Sequence, residues 1–134
     1  PFNYTGVGQE TRYLIPKIVS HFKARVPHIE LGNTDVARDF SDVRDVARAY
    51  RLLAEVRPIG ETFNLCSGEA TALETCIRMA SEITGHDMET KINPDLVRTN
   101  EVKTLRGSSE KLDHTTGHER RYSMRDTLEW MLQR

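Results

Sequence analysis

The segment LGNTDVARDFSDVRDVARAY, residues 31–50, carries the clearest structural pattern in this chain. Its pattern predicts a short strand, a polar turn that carries Arg38 and Asp39, and then the clearest amphipathic helix in the sequence. Ser41 stands at the expected N-cap, and Asp42 falls in the first turn, where the helix dipole favours acids. Apolar residues recur behind this cap at helical spacing and predict the buried face. They are Val43, Val46, Ala47, Tyr50 and Leu53.

Arg38 is therefore expected at a rigid position, just ahead of a helix that is anchored in the core. The plainer interpretation is an ion pair between Arg38 and a neighbouring acid, because most loop arginines are solvated. Arg98 and, on weaker grounds, Arg106 lie on other turns. Two guanidiniums from separate turns would suit a diphosphate group, since each can donate to two oxygens and stays charged. Spacing alone does not decide between these interpretations.

The composition indicates one ordinary globular domain of 134 residues, with 37% hydrophobic and 29% charged residues. A net charge of −1 gives no reason to expect nucleic acid or a membrane surface as a partner. No apolar run approaches the roughly 18 residues that a membrane helix needs. Cys66 and Cys76 form no Cys-x-x-Cys pair, so we expect two reduced, buried thiols and a cytoplasmic location.

The remaining segments alternate between strands and helices, which predicts a mixed α/β or α+β unit. We expect strands near residues 1–4, 28–31, 61–66 and 88–92. Helices are expected from Ile15, from the capping box Thr71-x-x-Glu74 to Gly85, after Ser108 or Ser109, and from the capping box Ser123-x-x-Asp126. Asn93-Pro94 should open a short helical turn, with the asparagine as its cap.

No segment carries a recognisable catalytic or metal-binding motif. The sequence Gly6-Val-Gly8 lacks the spacing of a dinucleotide loop or a P-loop, and no Gly-x-Ser-x-Gly nucleophile elbow occurs. His114 and His118 are separated by a helix-breaking Thr-Thr-Gly, which argues against a shared metal ion. We therefore assign no catalytic residue and no metal ligand.

Several short motifs nevertheless occur in one recognisable order. They are PFNYTGVGQ (1–9), IPK (15–17), LGN (31–33), ARDF (37–40), DVRDV (42–46), FNLCSG (63–68), NP (93–94) followed by Arg98, and RGS (106–108) with KL (111–112). The ordered set resembles the C-terminal, substrate-binding portion of extended short-chain dehydrogenase/reductases that act on nucleotide-sugars, in the branch that handles GDP-deoxyhexoses. The similarity covers essentially the whole chain.

The resemblance implies an α/β fold in which residues 1–134 form one nucleotide-sugar-binding domain, without the dinucleotide-binding half of a Rossmann-type protein. It implies an NAD(P)-dependent oxidoreductase that reduces GDP-4-keto-6-deoxy-mannose to GDP-rhamnose and is a homodimer when intact. NADP(H) or NAD(H) and the catalytic Tyr-x-x-x-Lys pair would belong to the absent half. We therefore expect no cofactor on this chain and no hydride transfer by it alone.

The resemblance also implies roles for individual residues. Arg38 and Arg98 would bind the diphosphate from two sides, and Asn3 would reach the sugar or its phosphate. Asn33 would lie beside the guanine and ribose, and Lys17 would open the helix that covers the nucleotide. Plainer roles exist for two of them, since Asn3 can cap a turn and Lys17 can lie on a solvated helix face.

Three functions stay open at this point. The chain could belong to a GDP-sugar reductase, to a sister dehydratase or epimerase on the same scaffold, or to a non-catalytic module that binds a nucleotide-sugar or a protein. The chain departs from the family pattern at Val7, where relatives have proline, at Ser108, where they usually have aspartate, and over residues 117–122. The last departure leaves the bound sugar open.

Overall fold

The computed structural model describes all 134 residues and has a mixed α/β fold. In chain order the elements are β1 (Asn3–Thr5), α1 (Leu14–Lys23), β2 (His28–Leu31), β3 (Ala37–Asp42), α2 (Val43–Val56), β4 (Ala70–Ala72), α3 (Leu73–Thr84), β5 (Glu89–Ile92), β6 (Thr104–Leu105), α4 (Glu110–Thr116) and α5 (Met124–Gln133). A 3₁₀ turn spans Pro94–Leu96, between β5 and β6.

Strand β3 is the centre of the larger sheet. β1 pairs with it in parallel, with Asn3 opposite Phe40, and β4 pairs with it antiparallel, with Thr71 opposite Arg38. β6 is a second parallel partner and places Leu105 opposite Arg38. A separate two-stranded parallel sheet joins β2 to β5. Segments that are distant in sequence therefore meet at β3.

The main core lies among α1, α3, α5 and β2. Its 13 buried residues include the large side chains of Phe22, Ile18, Ile29 and Leu128. A second cluster of four buried residues joins α2 to α4. α1 and β2 pack into the larger of the two clusters. Hydrophobic burial therefore stabilises their positions more strongly than those of α2 and α4.

Most of the predicted caps and elements are confirmed. Pro16 lies in the first turn of α1, Gly85 ends α3 with a positive φ of 61°, and Ser123 with Asp126 forms the capping box of α5. Asn93 caps the 3₁₀ turn, because its side chain accepts a hydrogen bond from the next but one amide. The strands expected near 28–31 and 88–92 are present, and both cysteines are free and buried.

The polar turn predicted at Arg38 and Asp39 is wrong, because both residues lie inside β3. The N-cap of α2 is Asp42 rather than Ser41, and the Asp42 carboxylate accepts a hydrogen bond from the Arg44 amide at 2.8 Å. Pairing of β3 with three other strands outweighs the local turn preference of this sequence. Ser41 is instead buried in the sheet, where its hydroxyl has no hydrogen-bond partner.

The buried face of α2 also differs from the prediction. Ala47 and Tyr50 are exposed, whereas the acidic residue Asp45 is buried. The Asp45 carboxylate accepts hydrogen bonds from the backbone amides of Arg121 and Tyr122 at 3.0 and 3.1 Å. A buried carboxylate is stable only with such partners, and these come from a distant loop that helical spacing does not reveal.

Two further expectations are wrong. Residues 61–66 form no strand; the Leu65 carbonyl accepts a hydrogen bond from the Phe2 amide at 2.8 Å. The cap of α3 is Ala72, without a side-chain hydrogen bond, because Thr71 belongs to β4. None of the helices is long and apolar enough to cross a membrane.

Candidate functional site

A cavity of about 920 Å³ opens where β1, α1, β3 and the segment 96–101 meet, and its volume is typical of small-molecule sites. The five residues expected to bind substrate all line it. They are Asn3, Lys17, Asn33, Arg38 and Arg98. Arg106 does not line this cavity, since it lies in a separate shallow depression with Thr71 and Thr75.

The two arginines converge on one carboxylate, that of Glu101. Arg38 forms a close ion pair with one oxygen of Glu101, and Nη1 of Arg98 lies 3.7 Å from the other oxygen. The side chains of Arg38 and Glu101 are 15% and 17% exposed, whereas that of Arg98 is 82% exposed. The cavity therefore has an inner guanidinium, largely removed from water, and an outer one that faces solvent.

Arg98 is positioned through its backbone by the turn at Gly32 and Asn33. Oδ1 of Asn33 accepts a hydrogen bond from the Arg98 amide at 2.8 Å, and Nδ2 of Asn33 donates to the Arg98 carbonyl at 3.3 Å. A Cβ on Gly32 would lie 2.1 Å from the carbonyl oxygen of Leu96, so this close approach requires glycine. In this structure Asn33 acts on Arg98, and its contact with guanine or ribose stays a prediction.

Lys17 and Asn3 contact backbone oxygens at the cavity wall. Nζ of Lys17 donates to the Glu30 carbonyl at 2.6 Å. Nδ2 of Asn3 donates to the Asp39 carbonyl at 3.4 Å. Neither side chain has a carboxylate partner, so Lys17 adds an uncompensated positive charge to the cavity.

Tyr13 and Lys17 have the Tyr-x-x-x-Lys spacing. The family resemblance, however, implies that the catalytic Tyr-x-x-x-Lys pair lies outside this chain. Tyr13 is the N-cap residue of α1, and its hydroxyl accepts a hydrogen bond from Nη2 of Arg12 at 3.3 Å. Lys17 is directed to the Glu30 carbonyl instead. The two side chains have different partners, so the spacing alone assigns them no catalytic role.

On the face of β3 away from the cavity, Asp39 connects this strand to the segments around Ser67 and Gly107. Its carboxylate is fully buried and accepts hydrogen bonds from the amides of Ser67, Gly68 and Gly107 at 2.6, 3.0 and 3.2 Å. Successive side chains of a strand point to opposite faces, so Asp39 is buried while Arg38 reaches the cavity. The buried charge thereby fixes the strand that carries Arg38.

At the end of β3, Asp42 links the sheet to α5. Burial alone would raise the pKa of Asp42, but hydrogen bonds from Arg44 and Thr127 outweigh it and hold that pKa below its usual value. The Arg44 guanidinium lies 3.6 Å from the ring centroid of Tyr122 and 4.0 Å from that of Trp130. This cation–π stacking fixes the C-terminal loop and helix behind the cavity.

The charge of the lining suits a small anion. Four basic side chains face two acidic ones: Arg12, Lys17, Arg38 and Arg98 against Glu10 and Glu101. Gly6, at the rim of the cavity, is required for packing, because a Cβ there would lie 2.4 Å from the Val43 side chain. No group of three or more His, Cys, Asp or Glu side chains is arranged to hold a metal ion.

Sequence reasoning did not identify Glu101. It follows Arg98 by three residues, which is a weak signal for an ion pair, but its main partner Arg38 is 63 residues away. That contact arises because β6 pairs with β3. Local sequence contains no sign of this pairing.

The fold and the cavity together define a class, namely an α/β domain with a cavity whose lining carries more basic than acidic side chains. Comparison with known families gives the class its name. The model of the GDP-mannose 4,6 dehydratase family matches residues 1–131, and the chain belongs to that family. The resemblance inferred from the ordered motifs is thereby confirmed.

Two curated relatives match 98% of this chain. GDP-6-deoxy-D-talose 4-dehydrogenase of Aggregatibacter actinomycetemcomitans is 38% identical, and GDP-6-deoxy-D-mannose reductase of Pseudomonas aeruginosa is 31% identical. The chain spans 45% of the length of each relative.

Solved structures agree with this assignment. A protein of Burkholderia cenocepacia J2315 that is described as a candidate epimerase has a TM-score of 0.94 and is 50% identical. RMD of Pseudomonas aeruginosa, solved in complex with NADPH, has a TM-score of 0.91 and is 27% identical. Both matches cover 98% of this chain, and they cover 43% and 45% of the solved chains.

Proposed function

We propose that this chain is the substrate-binding part of an NAD(P)-dependent nucleotide-sugar oxidoreductase, and that its substrate is a GDP-6-deoxyhexose. The reaction that fits best is the reduction of GDP-4-keto-6-deoxy-mannose to GDP-rhamnose. Both curated relatives carry names that refer to GDP-6-deoxy sugars. The observation that carries the proposal is the convergence of Arg38 and Arg98 in one cavity.

A diphosphate group matches the two guanidiniums in charge and in shape. Arg38 is oriented before any ligand arrives, because its Nη1 donates to the Ala37 carbonyl at 2.9 Å and to the Lys103 carbonyl at 3.4 Å. Arg98 faces solvent and can approach a second phosphate from the outside. Planar guanidiniums donate two parallel hydrogen bonds to phosphate oxygens, which makes them suited to such a group.

The cavity leaves room for the rest of the nucleotide-sugar. Asn3 lies on β1, Lys17 on α1 and Asn33 in the turn after β2, and all three line the cavity. In this proposal the sugar lies towards Asn3, and the nucleoside lies towards Lys17 and Asn33. We assign these three residues as substrate contacts or as supports of such contacts. Lys17, which no carboxylate neutralises, also attracts the anion.

The cofactor and the proton-transfer residues belong, in this proposal, to other parts of a longer protein. The glycines of Gly6-Val-Gly8 lack the spacing of a dinucleotide loop, which supports this division. NADP(H) or NAD(H) would supply the hydride, and this chain would hold the sugar nucleotide for it. We propose further that this longer protein is a homodimer in the cytoplasm.

A related activity is the second candidate, because the solved protein that is 50% identical is described as a candidate epimerase. The two candidates share the diphosphate contacts and differ in the fate of the sugar. Product analysis after incubating the longer protein with NADPH and GDP-4-keto-6-deoxy-mannose separates them. A reductase forms GDP-rhamnose and consumes NADPH in equal amount, whereas an epimerase leaves NADPH unchanged.

Isothermal titration calorimetry tests the binding claim. The 134-residue chain should bind GDP-mannose, and Arg38→Ala should weaken binding about ten- to a hundredfold, because a charged hydrogen-bonding group is worth about 1.5–3 kcal/mol. The matched control is Arg106→Ala, an arginine outside the cavity, which should leave the affinity unchanged. Equal losses in the two variants, or no binding by the wild-type chain, would contradict the proposal.

A further inference from the structure

One cation–aromatic cluster lies next to the cavity without lining it. The guanidinium of Arg44 lies 3.6 Å from the ring centroid of Tyr122 and 4.0 Å from that of Trp130. None of these three side chains belongs to the cavity lining. We call the three residues the Arg44 stack. Because it contains the only tryptophan of the chain, its surroundings can be followed without a label.

The indole edge of Trp130 supports the rim of the cavity from behind. A Cβ on Gly6 would lie 3.1 Å from Cζ3 of the indole and 2.4 Å from the Val43 side chain, so the Gly6 backbone packs directly against both. Gly6 lines the cavity together with the rest of the rim segment, residues 6–9. The indole therefore limits how far the rim segment can move away from the cavity.

The rim segment is compact and should move as a unit. The Gln9 amide donates to the Gly6 carbonyl at 3.3 Å. The Gln9 side chain is held as well, since its Oε1 accepts a hydrogen bond from the Thr5 hydroxyl at 2.8 Å and its Nε2 donates to the Tyr4 carbonyl at 3.3 Å. A displacement of Gly6 would therefore shift the whole segment.

Arg44 fixes the orientation in which the two rings pack. Its Nε and Nη2 donate to the two carboxylate oxygens of Asp42 at 2.8 and 2.7 Å. Asp42 is buried at the end of β3, and its Oδ2 also accepts a hydrogen bond from the Thr127 hydroxyl at 2.7 Å. A planar guanidinium that is held at two points keeps its orientation, so the rings that pack on it keep theirs.

Tyr122 reaches the Arg44 stack from residues 117–122, where the sequence departs from the family pattern. The Tyr122 amide donates to the buried Asp45 carboxylate at 3.1 Å, and the Arg121 amide donates to the same oxygen at 3.0 Å. These backbone contacts place the Tyr122 ring against Arg44. The stack thus connects a loop outside the cavity to the cavity rim.

We propose that Tyr122, Arg44 and Trp130 are positioning residues that hold the rim segment in place, and that the affinity of the cavity for its ligand depends on this support. They act through Gly6 and do not touch the ligand. The nature of the ligand rests on the proposed function, whereas the contact between stack and rim does not. Since a single cation–π contact is a modest interaction, its loss should weaken binding several-fold without abolishing it.

Substitutions of Tyr122 test the stack from the end that lies farthest from the rim. In calorimetry, Tyr122→Leu should weaken GDP-mannose binding about fivefold because it removes the ring, whereas Tyr122→Phe keeps the ring and should bind as wild type. The matched control is Phe63→Leu, which removes the ring that Nζ of Lys111 contacts at 4.5 Å, away from the cavity. It should leave the affinity unchanged. Equal affinities of Tyr122→Leu and Tyr122→Phe would overturn the proposal.

The rim also gives a readout that needs no ligand. In ¹⁵N spectra of the free chain, the amides of Gly6 and Gly8 should shift in Tyr122→Leu and keep their positions in Phe63→Leu. A loss of stability alone would not produce this difference, because each variant loses one ring that contacts a cation. Unmoved Gly6 and Gly8 amides in Tyr122→Leu would overturn the proposal.

A third measurement uses the wild-type chain and does not depend on the folding of a variant. Trp130 is the only tryptophan, so tryptophan emission reports on the stack alone. Saturation with GDP-mannose should shift the emission maximum, because the ligand would contact the rim that the indole supports. An emission maximum that stays in place while calorimetry records binding would overturn the proposal.

The outcomes separate this inference from the proposed function. GDP-mannose binding that depends on Arg38 but not on the Tyr122 ring would leave the proposed function standing and remove the role of the stack. Shifted rim amides in Tyr122→Leu, with no GDP-mannose binding by that variant or by the wild-type chain, would remove the proposed function and uphold the support of the rim by the stack.

Discussion

At the scale of single residues, the site depends on alternation along β3. Arg38 points into the cavity and Asp39 points to the opposite, buried face, where it accepts hydrogen bonds from three backbone amides. One strand therefore places both residues, and the buried carboxylate of Asp39 lies directly behind the positive charge that Arg38 brings to the cavity. A buried, fully hydrogen-bonded carboxylate is an expensive group to disturb, so the strand that carries Arg38 is held firmly.

The Asp42 carboxylate gives the fold a defined acid sensitivity. Its pKa is held below the usual value by hydrogen bonds from Arg44 and Thr127, which outweigh the opposing effect of burial. A carboxyl whose pKa is lower in the folded state stabilises the fold above its unfolded pKa of about 3.9, and this contribution is lost as the pH falls through the folded pKa. Urea unfolding should therefore show stability falling between about pH 5 and pH 2.

The variant Asp42→Asn tests this assignment. It should lose about 2 kcal/mol at neutral pH, because Arg44 and Thr127 lose a charged acceptor, and its stability should depend less on acid. Glu55→Gln, which changes an exposed charge paired with Arg51, serves as the control and should keep the wild-type pH profile. An Asp42→Asn chain with the wild-type acid dependence would show that other carboxyls dominate it.

At the scale of elements, the turn between β2 and β3 supports the site. Gly32 touches the carbonyl of Leu96, and Asn33 binds both backbone groups of Arg98. The 3₁₀ turn, capped by Asn93, precedes Arg98 and leads the chain into this contact. The outer arginine is therefore placed by backbone contacts with a turn, although its side chain faces solvent.

Gly32→Ala should uncouple this turn from the segment it holds. The new Cβ would lie 2.1 Å from a backbone oxygen, so the segment 94–98 must shift. We expect a stability loss of about 1–3 kcal/mol and a GDP-mannose affinity about tenfold weaker. The control is Gly60→Ala, where φ is +70° but no atom lies within 4 Å; it should cost about 1 kcal/mol and leave the affinity unchanged. Tight GDP-mannose binding by Gly32→Ala would show that the turn does not position Arg98.

Capping chemistry shows how far sequence reasoning reaches. Both Ser123-x-x-Asp126 and Thr71-x-x-Glu74 read as capping boxes, but only the first forms one. Ser123 is free to cap because its backbone has no strand partner, whereas Thr71 is taken up by β4 opposite Arg38. A local motif predicts a cap correctly when its residues do not pair with another strand.

The candidate site was predictable only in its parts. Arg38 and Arg98 were identified as polar groups on separate segments, and the structure places both in one cavity. Arg106, selected on the same grounds, lies elsewhere. Glu101 could not be found, because its contact with Arg38 depends on the register between β6 and β3. Residue type and spacing give candidates, and strand order decides which of them meet.

At the scale of the whole molecule, charge is distributed unevenly. The chain has a net charge of −1, yet four basic side chains and two acidic ones line the cavity. A positive pocket on a nearly neutral surface concentrates anions at the site and should lose affinity as salt is added. The apolar core lies mainly among α1, α3 and α5. It also reaches the cavity, because its members Ile15, Leu31 and Val36 line the wall beside the charged residues.

Chemical-shift mapping of the ¹⁵N-labelled chain with GDP-mannose shows directly whether the arginine-lined cavity binds a nucleotide diphosphate-sugar. The amides of Gly32, Arg38, Arg98 and Glu101 should shift together and saturate at one ligand per chain, while that of Arg106 stays in place. Shifts centred on Arg106, or none around the cavity at millimolar ligand, would contradict the account.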